Sequence, residues 1–352
     1  MRFALIGDHP DGTEFASAMR DAGHTLARST GLVQDGEVIE EILSPAVAEV
    51  LADPQIQAVI VAVRVDKRLD VTRRVLQSER HALVVHPVDV KPDGGYELNM
   101  LQGDMHQVLL PLLSEAFVDA QLLPGAWLEL TVTDPSEPLL YLDATRRHPA
   151  FPGWTLIRRA AGEVLEVSTF GMEDFAQPGG VLLCSGRAER GLFHIKCHRG
   201  GERRQVNSKF VTSNGEIQID LSGAANAWPR LVAEFDRAVA RLAQTPRSDP
   251  GVGATEEPGA RIAWRDEIRA LELNNAAARS LAKRRSVLME YQEASEEVGF
   301  KGTMTLIGCG MIWVIILMLI LSVWLPWLQS LILPALVLFL GMQLFGIFAR
   351  RR

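Results

Sequence analysis

Residues 44–63 read SPAVAEVLADPQIQAVIVAV. Ser44 followed by Pro45 is a helix start: a hydroxyl caps the first free N–H groups, and the next residue has no N–H to satisfy. The helix this predicts covers 44–52. AVIVAV (58–63) then gives an apolar run without alternation, the pattern of a parallel strand covered on both faces. Working outward, RFALI (2–6) reads as a short buried strand ending on Gly7. The turn GDHPDG (7–12) leads into a helix from about Thr13 to Ala22, with Phe15, Ala18 and Met19 on one face. A second strand is expected over 24–28 and a helix over about 67–79. HALVV (81–85) makes a further buried strand that ends at His86-Pro87. Strands alternating with helices predict a doubly wound α/β Rossmann domain over 1–120, with ligands at the carboxyl ends of the strands.

The next stretch changes character. Strands are readable at 126–133, 138–144, 163–170, 180–186, 191–197, 204–212 and 216–221, with an Asn214-Gly215 turn signal. They predict an α+β domain over 121–243 with an open, mainly antiparallel sheet, closed by a helix over 227–243. Residues 244–260 (QTPRSDPGVGATEEPGA) have the composition of a flexible linker. Over 261–300 a long helix is expected as a stalk. Its narrow stripe of Ile268, Leu271, Ala278, Leu281, Leu288 and Tyr291 permits a coiled coil, and Lys283-Arg284-Arg285 offers either a solvated face or a contact for lipid phosphates.

Between Lys301 and Arg350 there is no charged residue. The runs 303–325 and 327–348 are each long enough, as helices, to cross the ~30 Å hydrocarbon core of a bilayer. Residues 301–352 are therefore expected to form a transmembrane hairpin with Trp324 and Trp327 at the headgroup level. Lys301 and Arg350–Arg352 flank the spans and the turn is uncharged, so both termini are expected in the cytoplasm, at the cytoplasmic membrane. MRFALIGDHPDG does not read as a signal peptide, because its apolar run breaks at Asp8.

The 352 residues are 47% hydrophobic and carry a net charge of −7. An acidic body lacks the concentrated basic face that phosphate backbones require, which argues against a nucleic-acid partner. Zinc-type Cys/His spacing and a P-loop are absent, so no metal ligands are expected. The three cysteines fit a reducing compartment, with Cys184 and Cys197 as packed thiols on neighbouring strands.

The succession GDHPDG, SPAVAEVLADPQIQAVIVAV, a helix and SERHALVVHP resembles the N-terminal half of the Gfo/Idh/MocA oxidoreductases, named after glucose–fructose oxidoreductase and inositol dehydrogenase. The likeness covers roughly residues 1–243. It implies a nicotinamide dehydrogenase ancestry, but this chain departs from the pattern at each functional point. The family's glycine loop is G-x-G-x-x-G/A; here Gly7 and Gly12 supply turn geometry, Asp8 follows, and His9-Pro10 stands at the middle glycine. The acidic residue that takes the ribose hydroxyls is replaced by Arg28-Ser29-Thr30, a set that would suit a 2′-phosphate, and hence NADP, or serve as a surface turn. The family's E-K-P becomes Val85-His86-Pro87, which makes His86 the candidate acid/base. Its second-domain G-x-H-x-x-D falls near 150–156, where neither functional residue is present and His148 is out of register. The segment between Pro87 and Asp104 is short, which implies that the family's next helix and strand are missing.

Asp8, His9, Arg64 and His86 thus collect at strand ends, either as satisfied turn residues or as a working set with Gly7, Gly12, Arg28, Ser29 and Pro87. The leading expectation is a catalytically degenerate, membrane-anchored protein with no cofactor, acting as a ligand sensor or scaffold. The rival is an active NADP-dependent oxidoreductase using His86. Expected partners are the lipid bilayer, a dinucleotide or other small molecule, and a second copy through the stalk or the sheet face.

Overall fold

The computed structural model describes residues 1–30, 33–34, 37–38, 45–89, 91–117, 127–134, 140–143, 146–149, 153–171, 181–199, 205–212, 215–220, 227–244, 261–289 and 291. All of them belong to the unit Met1–Tyr291.

The first half runs β1 (Arg2–Gly7), α1 (Pro10–Asp21), β2 (Thr25–Thr30), the short ribbon β3 (Val33–Gln34) and β4 (Glu37–Val38), α2 (Pro45–Ala52), β5 (Ala58–Ala62), α3 (Val65–Gln77), β6 (His81–Val85), α4 (Pro92–Met105) and β7 (Leu109–Leu112). β1, β2, β5, β6 and β7 form a parallel sheet in the order β2-β1-β5-β6-β7. One face packs Phe3, Leu5, Ile60 and Leu83 against Phe15 and Met19 of α1. The other packs Ile6, Val59, Val61 and Val84 against Val71 and Val75 of α3. This is the Rossmann-type architecture that the apolar runs predict.

The second half contains β8 (Trp127–Asp134), β9 (Leu140–Asp143), β10 (Arg146–Pro149), α5 (Trp154–Ala161), β11 (Val164–Gly171), β12 (Val181–Ala188), β13 (Leu192–Arg199), β14 (Gln205–Thr212), β15 (Gly215–Asp220), α6 (Ala227–Leu242), α7 (Trp264–Lys283) and β16 (Val287–Leu288). Seven strands form one sheet, β15-β14-β8-β13-β12-β11-β16, in which only β8 and β13 run parallel. The expected mainly antiparallel sheet is present. Its inner face (Leu128, Leu130, Val167, Cys184, Ile195) packs on Trp154, Leu156 and Ile157 of α5. Cys184 and Cys197 are buried thiols that form no disulfide.

Two expectations need correction. The helix and strand expected to be missing after Pro87 are present, as α4 and β7. α4 carries no apolar stripe because it approaches its partner through glycine: a Cβ on Gly95 would lie 3.1 Å from Leu271 and 3.2 Å from Ile268. β7 is LLPL, and Pro111 is tolerated because β7 is an edge strand of its sheet.

The larger correction concerns the stalk. The helix expected over 261–298 is α7, it stops at Lys283, and it is built into the body. Trp264, Ile268 and Leu271 belong to the Rossmann core, while Ala270, Leu273 and Ala277 belong to the core of the second sheet. Its charges give it the pattern of a solvated helix, yet Asp266, Glu267, Arg269 and Glu272 are paired inside the fold. Arg269 Nη1 donates to Glu272 Oε2 at 2.7 Å, Tyr96 donates to the same carboxylate, and Arg158 Nη1 donates to Asp266 at 3.0 Å. Leu271 is fully buried in its own chain, so it is not a coiled-coil seam. The linker beyond 244, the segment 292–300 and both expected spans lie outside the described residues. Among those described, no helix is long and apolar enough to cross a membrane.

Candidate functional site

The turn after β1 is held by two close approaches. Gly7 has φ +104°, and a Cβ there would lie 2.3 Å from the carbonyl carbon of Ala62 at the end of β5. A Cβ on Gly12 would lie 2.3 Å from the Ala62 Cβ. Both glycines are therefore demanded by the packing of β1 and α1 onto β5. The path of a phosphate-binding turn is in place, but several of its donors are engaged or missing. The His9 N–H donates to the Ala62 carbonyl at 3.1 Å. Pro10, the first residue of α1, has no N–H. The Asp11 N–H donates to His9 Nδ1 at 3.2 Å, so the imidazole caps the helix that a pyrophosphate would otherwise cap. The Thr13 N–H returns to the His9 carbonyl at 3.1 Å. Asp8 and Asp11 add two carboxylates to the same turn. These residues do not fit a dinucleotide pyrophosphate.

At the end of β2, Arg28, Ser29 and Thr30 pair with Ala4, Leu5 and Ile6 of β1. Arg28 Nη1 donates to Glu49 Oε2 of α2 at 2.8 Å, at the surface, which engages the guanidinium that a 2′-phosphate would need there. Arg64, the residue before α3, is 74% exposed at its side chain and faces Asp66 at 3.4 Å.

The end of β6 is the most constrained part of the site. The His86-Pro87 peptide is cis. Arg68, fully buried in α3, ties this segment to the end of β5: its Nε donates to the Val63 carbonyl at 2.6 Å, and Nη1 donates to the carbonyls of His86 (3.2 Å) and Pro87 (3.1 Å). Glu267 reaches in from α7. Its Oε2 lies 2.7 Å from His86 Nδ1, and its Oε1 accepts the Val88 N–H at 2.6 Å. The carboxylate is fully buried and His86 nearly so.

In the second half, the positions where the resemblance puts a histidine and an aspartate lead into Gly153 and Trp154. Gly153 has φ +89°, and a Cβ there would meet Leu130 at 2.2 Å. Trp154 is buried and donates its indole N–H to Asn274 Oδ1 at 2.8 Å. This corner is filled by packing. His148 lies on β10 opposite Tyr141, and its side chain is outside the described residues.

The structure thus brings Gly7, His9, Gly12, Arg64, His86 and Pro87 to the carboxyl end of one sheet, with Asp8 beside them, and leaves Arg28 and Ser29 on the outer strand. Sequence reasoning missed Arg68, Glu267 and Asn274. A signal existed for two of them. Arg68 shares the buried face of α3 with Val71, Thr72, Val75 and Leu76. Glu267 sits at i+3 from Trp264 and one residue before Ile268, inside an apolar stripe. A charge at such a position is either a mistake of patterning or a buried partner.

No protein-family model matches the sequence, and no curated protein matches it either. Solved structures do. A myo-inositol dehydrogenase from Corynebacterium glutamicum superposes with a TM-score of 0.60 at 17% identity, over 83% of this chain and 99% of that one. A myo-inositol 2-dehydrogenase from Lactobacillus plantarum gives 0.63 at 12% identity, over 82% and 99%. GenD2 from gentamicin A biosynthesis, solved in complex with NAD, gives 0.62 at 14% identity, over 83% and 97%. At these identities the likeness establishes the fold: the chain is built on the scaffold of the inositol-dehydrogenase type, a Rossmann half joined to an open-sheet half.

Proposed function

We propose that this chain is a catalytically degenerate protein on a dehydrogenase scaffold, anchored to the cytoplasmic membrane by the 303–325 and 327–348 hairpin with both termini in the cytoplasm. It serves there as a ligand-sensing or scaffold protein. The observation that carries the loss of catalysis is the turn at His9. Its amides are occupied by Ala62 and by the imidazole itself, and Pro10 removes one more. A charge-assisted hydrogen bond contributes about 1.5–3 kcal/mol. Losing two weakens dinucleotide binding by roughly two to four decades. The hairpin rests on sequence: two charge-free runs of span length, with cations at their outer flanks.

The test is titration of the full chain in detergent with NAD(H) and NADP(H). Binding no tighter than millimolar is expected, with residual preference for NADP(H) and no hydride transfer from sugars or polyols. For the anchor, reporters fused before Met1 and after Arg352 should both read out cytoplasm; termini on opposite sides overturn the hairpin.

One observation favours a second reading, an NADP-dependent oxidoreductase. His86 Nδ1 lies 2.7 Å from Glu267 Oε2. That contact orients the ring and fixes its tautomer, as a general acid/base requires. Micromolar NADP(H) binding together with turnover abolished by His86→Ala establishes that reading and removes the first.

A further inference from the structure

The described body leaves α7 by a left-handed cap that carries a cluster of cations. Arg284, the residue after α7, has φ 51°. This is a left-handed position that glycine fills without strain. Arg284 stands between Lys283 and Arg285. All three side chains are exposed, and none has an ion pair among the described residues. In a chain of net charge −7 this is a concentrated patch of the opposite sign.

The backbone beneath the patch is hydrogen-bonded into the body. Ser280 Oγ donates to the Arg285 carbonyl at 2.8 Å. Two residues later β16 adds to the edge of the seven-stranded sheet, pairing Val287 with Val167 and Leu288 with Glu166. The Met289 N–H donates to the Leu165 carbonyl at 2.9 Å, and Tyr291 Oη donates to the Val164 carbonyl at 2.7 Å. Arg269 covers the Tyr291 ring at 4.4 Å. Beside the cations this edge exposes Leu288 (67%) and Leu165 (36%). The carboxylate in the same ladder, Glu166, stands opposite Arg187 on β12.

The position of this edge along the chain decides its partner. Only residues 292–302 separate Tyr291 from the first apolar run. Even fully extended, a segment of that length reaches at most about 40 Å. No other described edge lies so near the spans along the chain. We propose that the Lys283–Leu288 edge docks on an anionic phospholipid surface, the three cations on headgroups and Leu288 at the acyl boundary. The body is thereby oriented on the bilayer rather than swinging from a tether. The proposal rests on the membrane-anchored reading above.

The experiment uses the full chain with Cys309→Ser and Leu288→Cys, labelled at residue 288 with an environment-sensitive dye. Cys184 and Cys197 are buried, and burial pushes the Cys184 thiol up to about 12, so they stay unlabelled. The protein is reconstituted into phosphatidylcholine vesicles with and without phosphatidylglycerol. A blue shift is expected only in the anionic vesicles. High salt should reverse it, because exposed charges are screened. A surface cation contributes about fivefold to binding, so the K283Q/R284Q/R285Q variant should lower the docking equilibrium constant by about a hundredfold. Its thermal midpoint should stay unchanged.

Chain that co-floats with vesicles but gives the same emission in both lipids overturns the docking and leaves the anchor standing. Chain that fails to co-float overturns both. A shift that grows with protein density at fixed lipid identifies a second copy as the occupant and also overturns the docking.

Discussion

His86 Nδ1 lies 2.7 Å from Oε2 of Glu267, a fully buried carboxylate on a helix 181 positions further along the chain. The same carboxylate accepts the Val88 N–H, so it closes the strand-end segment from one side while Arg68 closes it from the other. Glu267→Ala leaves a buried N–H and a nearly buried imidazole without their partner, which costs ~3 kcal/mol of stability. Glu267→Gln keeps an acceptor for Val88 and should cost about a third of that. Urea midpoints of the two variants check the order; an alanine variant as stable as the parent removes Glu267 from the architecture.

α7 fixes where the chain can be cut. A fragment ending at 245 lacks Trp264, Ile268 and Leu271 from one core and Ala270, Leu273 and Ala277 from the other. It exposes both sheets, and we expect it to be insoluble or to bind a hydrophobic dye strongly. A fragment ending at Tyr291 retains every element of the unit and should unfold cooperatively. A cooperative, soluble 1–245 fragment contradicts this packing.

Most of the fold is legible in the sequence, because strands covered on both faces or on one face write their burial directly. β1, β5, β6, β8 and β11–β15 fall within a few residues of their apolar or alternating runs, whereas β16 lies where a helix is expected. The failures share a cause. α4 packs through Gly94 and Gly95, so it shows no apolar period; α7 is largely buried but directs Asp266, Glu267 and Glu272 inward, to Arg158, His86 and Tyr96, and so reads as solvated. The site follows the same division. Its backbone turns are visible as glycine and proline, whereas the partner that holds His86 comes from a helix whose register only tertiary packing sets.

His81 gives the body a pH dependence of known sign. Burial, reinforced by His106 nearby, pushes its pKa down from 6.5 to about 4, and its Nδ1 accepts the Val108 N–H at 3.2 Å. The unfolded chain therefore holds this proton more tightly than the folded one. Between about pH 6.5 and pH 4 the unfolded state binds more protons, so stability falls as pH drops through that window and levels off below it. The contribution is on the order of 3 kcal/mol. His81→Asn retains an acceptor for Val108 without the titration. Urea unfolding of the two proteins from pH 7 to pH 4 should show curves that converge as the pH falls. Parallel curves remove His81 as the cause.

The turn at His9 is testable by restoring what it lacks. His9→Gly frees the Asp11 N–H from the imidazole, and Pro10→Ala supplies a backbone donor at the start of α1. Gly7, Gly12 and the Ala62 contact are untouched, so the path of the turn is preserved. A helix cap given up in favour of glycine costs only a few tenths of a kcal/mol, so the double variant should remain folded. Each restored donor facing a phosphate contributes about 1.5–3 kcal/mol if the pyrophosphate sits at the α1 N-terminus, and partial geometry lowers the gain. The double variant is therefore expected to bind NADPH about 10–100-fold more tightly than the parent. Nicotinamide fluorescence on titration reads it out, with Asp11→Asn as a third step that removes the adjacent negative charge. Affinity unchanged across all three variants would mean that the occupied amides are not what excludes the dinucleotide, and the loss of binding would then have to lie at β2 or His86.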